Sequence, residues 1–226
     1  MRESGKEKNI ATKKSMIVQF VLLGICTAGT AFSQTLALKA NIGVCACWDA
    51  VGLNVYQIFG IKVGTVSMCL HAVCVLVQFL IQRKDFEKRK ILQLPYVIVF
   101  GMLLNFFYYN VLTFEVNAYV AKVLLVITSY LGLGLFLGPM LLLNLITIPS
   151  EAMCNVLSGY AKVDYAKVRI GLDGVCIAAS LVLSFLGGVS LKVREGTVMG
   201  MLLLGPLEKL SMKVFEPQIE RVKDIK

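Results

Sequence analysis

Long apolar runs separated by short polar segments organise almost the whole chain. Six runs have about the 20 residues that a helix needs to cross the hydrocarbon core of a bilayer. They cover residues 14–38, 63–81, 91–113, 118–145, 168–186 and 197–214. The pattern predicts an all-α integral membrane protein with six transmembrane helices.

Two further helical segments, residues 48–59 and 150–160, are too short to cross. At 1.5 Å per residue they reach only about 16 to 18 Å. Asp49 and Ser150 are residue types favoured at helix N-caps, and Pro149 suits the position just before a helix start. Two interpretations are open. The segments are either amphipathic helices in the interface, or re-entrant half-helices whose positive N-terminal ends meet in a midplane cavity.

Polar positions recur between the two halves of the chain at a fixed offset of 102 residues. Ser67, His71, Cys74 and Gln78 in the second run match Arg169, Asp173, Cys176 and Ser180 in the fifth. The spacing of four, three and four keeps each set on one helical face. Asp49 and Glu151, near the starts of the short helices, share the offset. Each half has an odd number of crossings, which predicts two inverted three-helix repeats, each with one short non-spanning helix.

The repeat divides the chain into four parts. They are a cytoplasmic N-tail over residues 1–13, a first membrane repeat over 14–113, a second membrane repeat over 118–214, and a cytoplasmic C-tail over 215–226. The basic N-tail and first run also suit a secretory signal peptide, but a retained first helix is simpler, because nearly everything downstream is membrane-bound.

Composition and charge agree with a membrane protein, since 57% of the residues are hydrophobic and 16% are charged. Eighteen of the 23 lysines and arginines fall in the tails and the two loops that share their side. Basic residues near helix ends stay in the cytoplasm, so both termini are predicted to be cytoplasmic. Topology and attraction to membrane lipid account for the net charge of +9. No basic face is interleaved with aromatics, so no nucleic-acid partner is expected.

Signals for a cofactor or for catalysis are absent from the sequence. Cys45 and Cys47 are too close for a Cys-x-x-Cys zinc knuckle, and the seven cysteines lie mostly in or beside the runs. His71 is the one histidine, which leaves no second histidine to pair with a nucleophile. The motifs of zinc proteases, serine hydrolases and phosphate-binding loops do not occur. We expect no metal, no cofactor and no enzymatic activity.

The polar stripes supply the candidate residues for a substrate or ion pathway. They are Ser67, His71, Cys74, Gln78, Arg169, Asp173 and Ser180, with Asp49, Ser150 and Glu151 at the half-helix N-termini. Asp173 is the strongest, because a carboxylate inside an apolar helix costs a few kcal/mol unless it is paired, protonated or facing water. Arg169, four residues earlier, can pair with it. Arg169 and Asp173 can form a static ion pair that fixes the helix, or they can take part in proton or substrate coupling. His71 can be a polar contact between helices, or it can titrate near neutral pH.

Glycines within the apolar runs and a glutamate in the last run are the remaining features. Helix contacts are expected at Gly24, Gly29, Gly132, Gly134, Gly138, Gly196, Gly200 and Gly205, because small residues let backbones approach closely. Glu208 in the last run is expected to snorkel toward the cytoplasmic edge beside Lys209.

Several short segments resemble a bacterial family. They are Trp48-Asp49-Ala50, residues 60–67, Val168-Arg169 with Asp173, and residues 194–198 through Gly205-Pro206. On these segments the chain resembles the YczE/YyaS/YitT-type bacterial multi-pass membrane proteins. The third run departs from the pattern, with only Pro95 and Gly101. The resemblance implies a bacterial plasma (inner) membrane protein of a largely uncharacterised family, with no assigned substrate.

Two functions are compatible with these patterns. The first is a transporter-like permease for a small molecule or ion, with a midplane polar site built from the stripes and the short-helix N-termini. The second is a non-transporting regulatory or scaffolding membrane protein, whose polar stripes only hold helices together and whose basic loop, residues 82–90, is the partner surface. The sequence assigns no oligomeric state.

Overall fold

The computed structural model describes residues 2–43 and 47–223, which form helices and connecting turns without a β-strand among them. The α-helices are α1 Arg2–Ala40, α2 Cys47–Phe59, α3 Val63–Gln82, α4 Gln93–Phe106, α5 Tyr119–Leu143, α6 Pro149–Ala161, α7 Tyr165–Gly187 and α8 Glu195–Lys223. Two 3-10 turns, Arg83–Asp85 and Lys88–Leu92, precede α4, and a π-helical turn, Phe107–Val111, follows it. The all-α prediction is confirmed for this part of the chain.

Five helical segments are long and apolar enough to cross a membrane. They are Ser15–Ala40, Val63–Asp85, Arg89–Val111, Tyr119–Leu143 and Tyr165–Gly187. They coincide with the first five predicted spans, and by length and composition they make the chain a membrane protein. The sixth predicted span lies inside α8, which is long enough at 29 residues but is not among the five. Glu208, Lys209 and Lys213 lower its apolarity.

The short helices α2 and α6 have 13 residues each, so they reach about 20 Å. Their existence and length agree with the prediction, but their starts do not. Asp49 lies inside the first turn of α2 rather than at its cap. In α6, Ile148 occupies the cap position without a side-chain hydrogen bond, and Pro149 is the first helical residue. Proline suits that position because its missing N–H would have no partner there.

Each short helix packs against a spanning helix of the other half. α2 lies on α7, and α6 lies on α3. Within the halves, α2 contacts α3 and α6 contacts α7, while α1 packs on α4 and α5 packs on α8. α1 and α5, the first long helices of the two halves, pack extensively against each other. These pairs match under the 102-residue offset, but α3 also packs extensively on α4, whereas the corresponding helices α7 and α8 make at most a marginal contact.

Glycines allow several of these close approaches. A Cβ would meet a neighbouring segment at Gly29, Gly132, Gly134, Gly138 and Gly196, as predicted. The expectation is wrong at Gly24 and Gly205, where a Cβ would have nothing within 4 Å. Gly64 on α3 and Gly101 on α4 also pack closely, because a Cβ on either would overlap the carbonyl oxygen of the other.

Candidate functional site

A cavity of about 140 Å³ is lined by residues of all eight helices. Its polar and charged lining consists of Thr30, Gln34, Asp49, His71, Ser150, Glu151, Arg169 and Glu208. Its aromatic lining consists of Trp48, Tyr96 and Phe100, and aliphatic side chains complete the wall. One buried water requires about 10–15 Å³. The cavity therefore has room for several waters or for a small solute.

Asp49, in the first turn of α2, is a buried carboxylate on the wall of this cavity, with 3% of the residue exposed. Both of its oxygens accept from Nε2 of Gln34 on α1, at 2.8 and 2.7 Å. No lysine or arginine among the described side chains forms an ion pair with it. Burial raises the pKa of Asp49 to about 7, and the Gln34 hydrogen bond opposes that rise. Asp49 is thus held by a neutral group only.

Trp48 and His71 stack beside Asp49, with ring centroids 6.1 Å apart and planes 30° apart. The indole Nε1 of Trp48 is buried and has no hydrogen-bond partner among the described residues. His71 Nδ1 lies 2.8 Å from the carbonyl oxygen of Ser67 and 3.4 Å from its hydroxyl. A carbonyl oxygen only accepts, so Nδ1 carries a proton and Nε2 is the nitrogen that can gain or lose one.

Ser150 and Glu151, in the first turn of α6, reach the same cavity, and so does Arg169 on α7. Burial raises the pKa of Glu151, and the neighbouring positive charge of Arg169 opposes that rise. Arg169 Nε lies 3.4 Å from Asp173 Oδ2, which is the ion pair that the spacing predicts. Glu208 on α8 is a further electrostatic neighbour of Arg169 and Glu151. Three carboxylates therefore share one guanidinium.

Asp173, the strongest sequence candidate, does not line the cavity. It lies beside Arg169, and the two side chains are partly exposed, at 21% for Asp173 and 33% for Arg169. The contact of Asp173 with the cavity is thus indirect, through its ion pair with Arg169.

Gln78 and Ser180, at matching places in the two halves, anchor the short helices. Gln78 Nε2 donates to the carbonyl oxygen of Pro149 at the start of α6 and to Oε1 of Gln93, at 3.1 and 3.2 Å. Asn54 Nδ2 on α2 donates to both the carbonyl and the hydroxyl oxygen of Ser180, each at 2.8 Å. These two polar residues hold helices in place, at a distance from the cavity wall.

The buried thiols of Cys74 and Cys176 also lie off the cavity wall, and the Cys154 thiol is a neighbour of Cys74. The described residues contain no group of three or more His, Cys, Asp or Glu side chains arranged to hold a metal ion. Cys45, half of the sequence pair considered for a zinc knuckle, lies outside the described residues.

Several cavity residues were not predicted as lining residues from the sequence, namely Gln34, Trp48, Tyr96 and Phe100, and Glu208 was given another place. The expectation that Glu208 snorkels outward is wrong, because it faces the cavity while Lys209 is exposed. A signal did exist for Gln34, since Thr27, Thr30 and Gln34 form a polar stripe with spacing three and four on α1. For the two aromatic residues of α4 the sequence offers no comparable signal.

Helices that cross the membrane and enclose a charged cavity define the class of the molecule as a multi-pass membrane protein. The chain belongs to DUF6198, a family of unknown function, whose model matches residues 14–213. No curated protein matches the chain, and no solved structure does. The family match carries nothing specific to the YczE/YyaS/YitT-type proteins, so that resemblance stays a prediction.

Proposed function

We propose that the chain is a transporter-like permease that binds a small solute in the central cavity. One observation carries this proposal. The first turns of α2 and α6 open into one cavity whose wall comes from every helix. A helix end inside an apolar interior presents unsatisfied N–H groups and a positive partial charge. Secondary transporters use paired half-helices of this kind at their solute sites, whereas helices that only need to pack do not require them.

The proposal takes α8 as a sixth span. Its 29 residues reach about 43 Å, more than the hydrocarbon thickness of about 30 Å, and it packs against α5 and α1. Because Glu208 faces the cavity, this charge within α8 does not have to face lipid. Six spans place both termini on one side, and the basic residues favour the cytoplasm of a bacterial inner membrane.

The proposal also includes an inverted repeat. The contacts of α2 with α7 and of α6 with α3 exchange under the 102-residue offset, and so do the anchors Gln78 and Ser180. Three spans and one short helix in each half then give a pseudo-two-fold axis in the membrane plane. This geometry supplies two related gates around one site, which alternating access requires.

Water access to the cavity from each side tests the proposal. In a chain whose seven cysteines are replaced, Ser150→Cys puts one thiol on the cavity wall. A membrane-impermeant thiol reagent is applied to right-side-out and inside-out vesicles. The matched control is Ser129→Cys, because Ser129 is fully buried between α5 and α1 and does not line the cavity. We expect Ser150→Cys to react from both sides and Ser129→Cys from neither.

Reaction of Ser150→Cys from one side only contradicts alternating access. Protection from both sides shows a dry interior, and the protein is then a regulatory or scaffolding component with the basic loop as its partner surface. Reaction of both variants after denaturation confirms that the two thiols are present.

A further inference from the structure

We infer that the cavity binds a small organic cation, with the carboxylate of Asp49 as its counter-charge and the indole of Trp48 against it. This inference rests on the proposed function in one respect, which is that the bound cation is taken to be the solute that the permease moves. Binding itself is measurable without transport.

The charges on the cavity wall do not balance. Asp49, Glu151 and Glu208 are the lining carboxylates, and Arg169 is the one guanidinium among the lining residues. Arg169 also pairs with Asp173, so its single positive charge is shared between Asp173 and the lining carboxylates Glu151 and Glu208. His71 and Tyr96 are the other titratable groups on the wall. With the carboxylates ionised and the histidine neutral, the wall has an excess of negative charge.

The two halves differ at the residue that would neutralise Asp49. In the second half, Glu151 at the start of α6 has Arg169 on α7 as its neighbour. The position that matches Arg169 in the first half is Ser67 on α3, whose oxygens contact His71. The first half therefore has a matching carboxylate, Asp49, without the matching cation. A charge from outside the chain can take that place.

An anion is the weaker fit, although two helix N-termini face the cavity. Each first turn already contains its own carboxylate, Asp49 in α2 and Glu151 in α6, and these interact favourably with the positive ends of their helices. An anionic ligand would meet three carboxylates and one shared guanidinium.

An organic cation fits better than a metal ion. Ca²⁺ takes six to eight oxygen ligands, and Mg²⁺ demands a near-octahedral set. Among the described residues, no group of three or more His, Cys, Asp or Glu side chains is arranged to hold a metal ion. The wall is rich in rings instead, with Trp48, Tyr96 and Phe100 available for alkyl groups and for cation–π contact. The cavity volume of about 140 Å³ limits the ligand to roughly the size of benzene, which is about six or seven heavy atoms.

The free indole N–H of Trp48 adds an independent sign of a ligand. It is buried, it belongs to a lining residue, and no acceptor reaches it within the described chain. Asp49 offers an acceptor with unfilled capacity close by along the chain. A ligand that has both an ammonium group and an oxygen satisfies the two groups together.

Trp48 is also the single tryptophan of the chain, so its fluorescence reports directly on the cavity. The probes are choline and 3,3-dimethylbutan-1-ol, which have the same shape but differ in charge. The full chain in nanodiscs is titrated with each probe. We expect a saturable change with choline and binding at least tenfold weaker with the neutral alcohol. Equal binding of the two probes, or no saturable change with choline or methylammonium, overturns the inference.

Two variants locate the charge. Asp49→Asn retains an oxygen for Gln34 and removes the negative charge, so choline binding should weaken at least tenfold. Glu115→Gln is the control, because Glu115 is exposed and does not line the cavity. Gln34→Lys gives a second test that does not depend on Asp49→Asn folding. It supplies an internal ammonium beside Asp49 and should abolish choline binding. Unchanged choline binding in a folded sample of either variant refutes the assignment of Asp49 as the counter-charge of the bound cation.

Uptake of labelled choline into proteoliposomes separates this inference from the proposed function. Choline binding without uptake, together with protection of Ser150→Cys from both sides, refutes transport and leaves the cation site in place. Uptake of an anion or a neutral solute through a cavity that does not bind choline keeps the permease and refutes the cation site.

Discussion

Gly64 on α3 and Gly101 on α4 offer a direct test of how closely two spans pack. A Cβ on Gly64 would overlap the Gly101 carbonyl oxygen and lie 2.7 Å from Oδ1 of Asn105. That Oδ1 atom accepts from the Gly64 backbone N–H at 2.8 Å, and Asn105 Nδ2 donates to Thr65 Oγ1 at 3.2 Å. Asn105 thus satisfies a first-turn N–H of α3 that has no partner within its own helix. Gly64→Ala fits only if α3 and α4 move apart.

The expected cost of Gly64→Ala follows from these distances. Ordinary contact begins at 3.4 Å, so the helices must separate by about 1 Å. Overpacking of this kind costs about 1–3 kcal/mol. Two weakened interhelical hydrogen bonds add about 1 kcal/mol together, and the better helix propensity of alanine returns about 0.5–1 kcal/mol. The net loss is about 1–3.5 kcal/mol, which lowers the Tm by about 2–14 °C.

Thermal unfolding in detergent, followed by circular dichroism, measures this effect. Gly24→Ala on α1 is the matched control, since a Cβ there has nothing within 4 Å and should stabilise the helix slightly. Gly64→Ala should also weaken ligand binding, because α3 supplies His71 and α4 supplies Phe100 to the cavity. A Tm equal to that of the wild type would show that α3 and α4 are not in close contact at this point.

Further variants test the anchors and the charges. Asn54→Val removes the hydrogen bonds between α2 and two serines of α7, and it should lower the free energy of unfolding by about 1–3 kcal/mol. The control Asn155→Val, at an exposed position, should leave the free energy of unfolding unchanged. Choline binding should weaken as pH falls through about 7, where Asp49 gains its proton, and a flat pH profile contradicts this. Because the pKa of Asp49 rises from 3.8 to about 7 on folding, its ionisation lowers stability as pH rises through that window, and Asp49→Asn should be more stable than the wild type at pH 8. Arg169→Gln and Asp173→Asn should each lower the Tm, and the loss in the double variant should be smaller than the sum of the two single losses; a double loss equal to that sum would show that the pair contributes nothing.

The spans and short helices could be predicted because they depend on local properties. Hydropathy over about 20 residues identifies a crossing, and a run of 13 residues is too short whatever surrounds it. The orientation of α8 is harder to predict, because the residues around Glu208 in the sequence are the same whether its side chain faces the membrane edge or a cavity. Only the packing of α8 against α5 and α1 decides between these directions.

The spacing of the polar residues predicts a shared helical face but does not say which part of that face meets the cavity. His71 and Gln78 share a face of α3, yet the seven residues between them correspond to about 10 Å along the helix. His71 therefore reaches the cavity, while Gln78 reaches the start of α6. Tyr96 and Phe100 of α4 were missed for a related reason, since their place depends on contacts between helices.

Residues 102 positions apart agree in some contacts and differ in charge. Gln78 and Ser180 each contact a short helix of the opposite half, and these contacts help to hold the first turns of α2 and α6 at the cavity. At the same offset, Ser67 stands where Arg169 stands in the second half. An arginine at position 67 would supply a counter-charge to Asp49, as Arg169 does to Glu151, and would leave Glu208 as the one excess carboxylate among the lining residues. Serine at position 67 leaves Asp49 without an arginine partner among the described residues, and this charge imbalance is the basis of the proposed cation site.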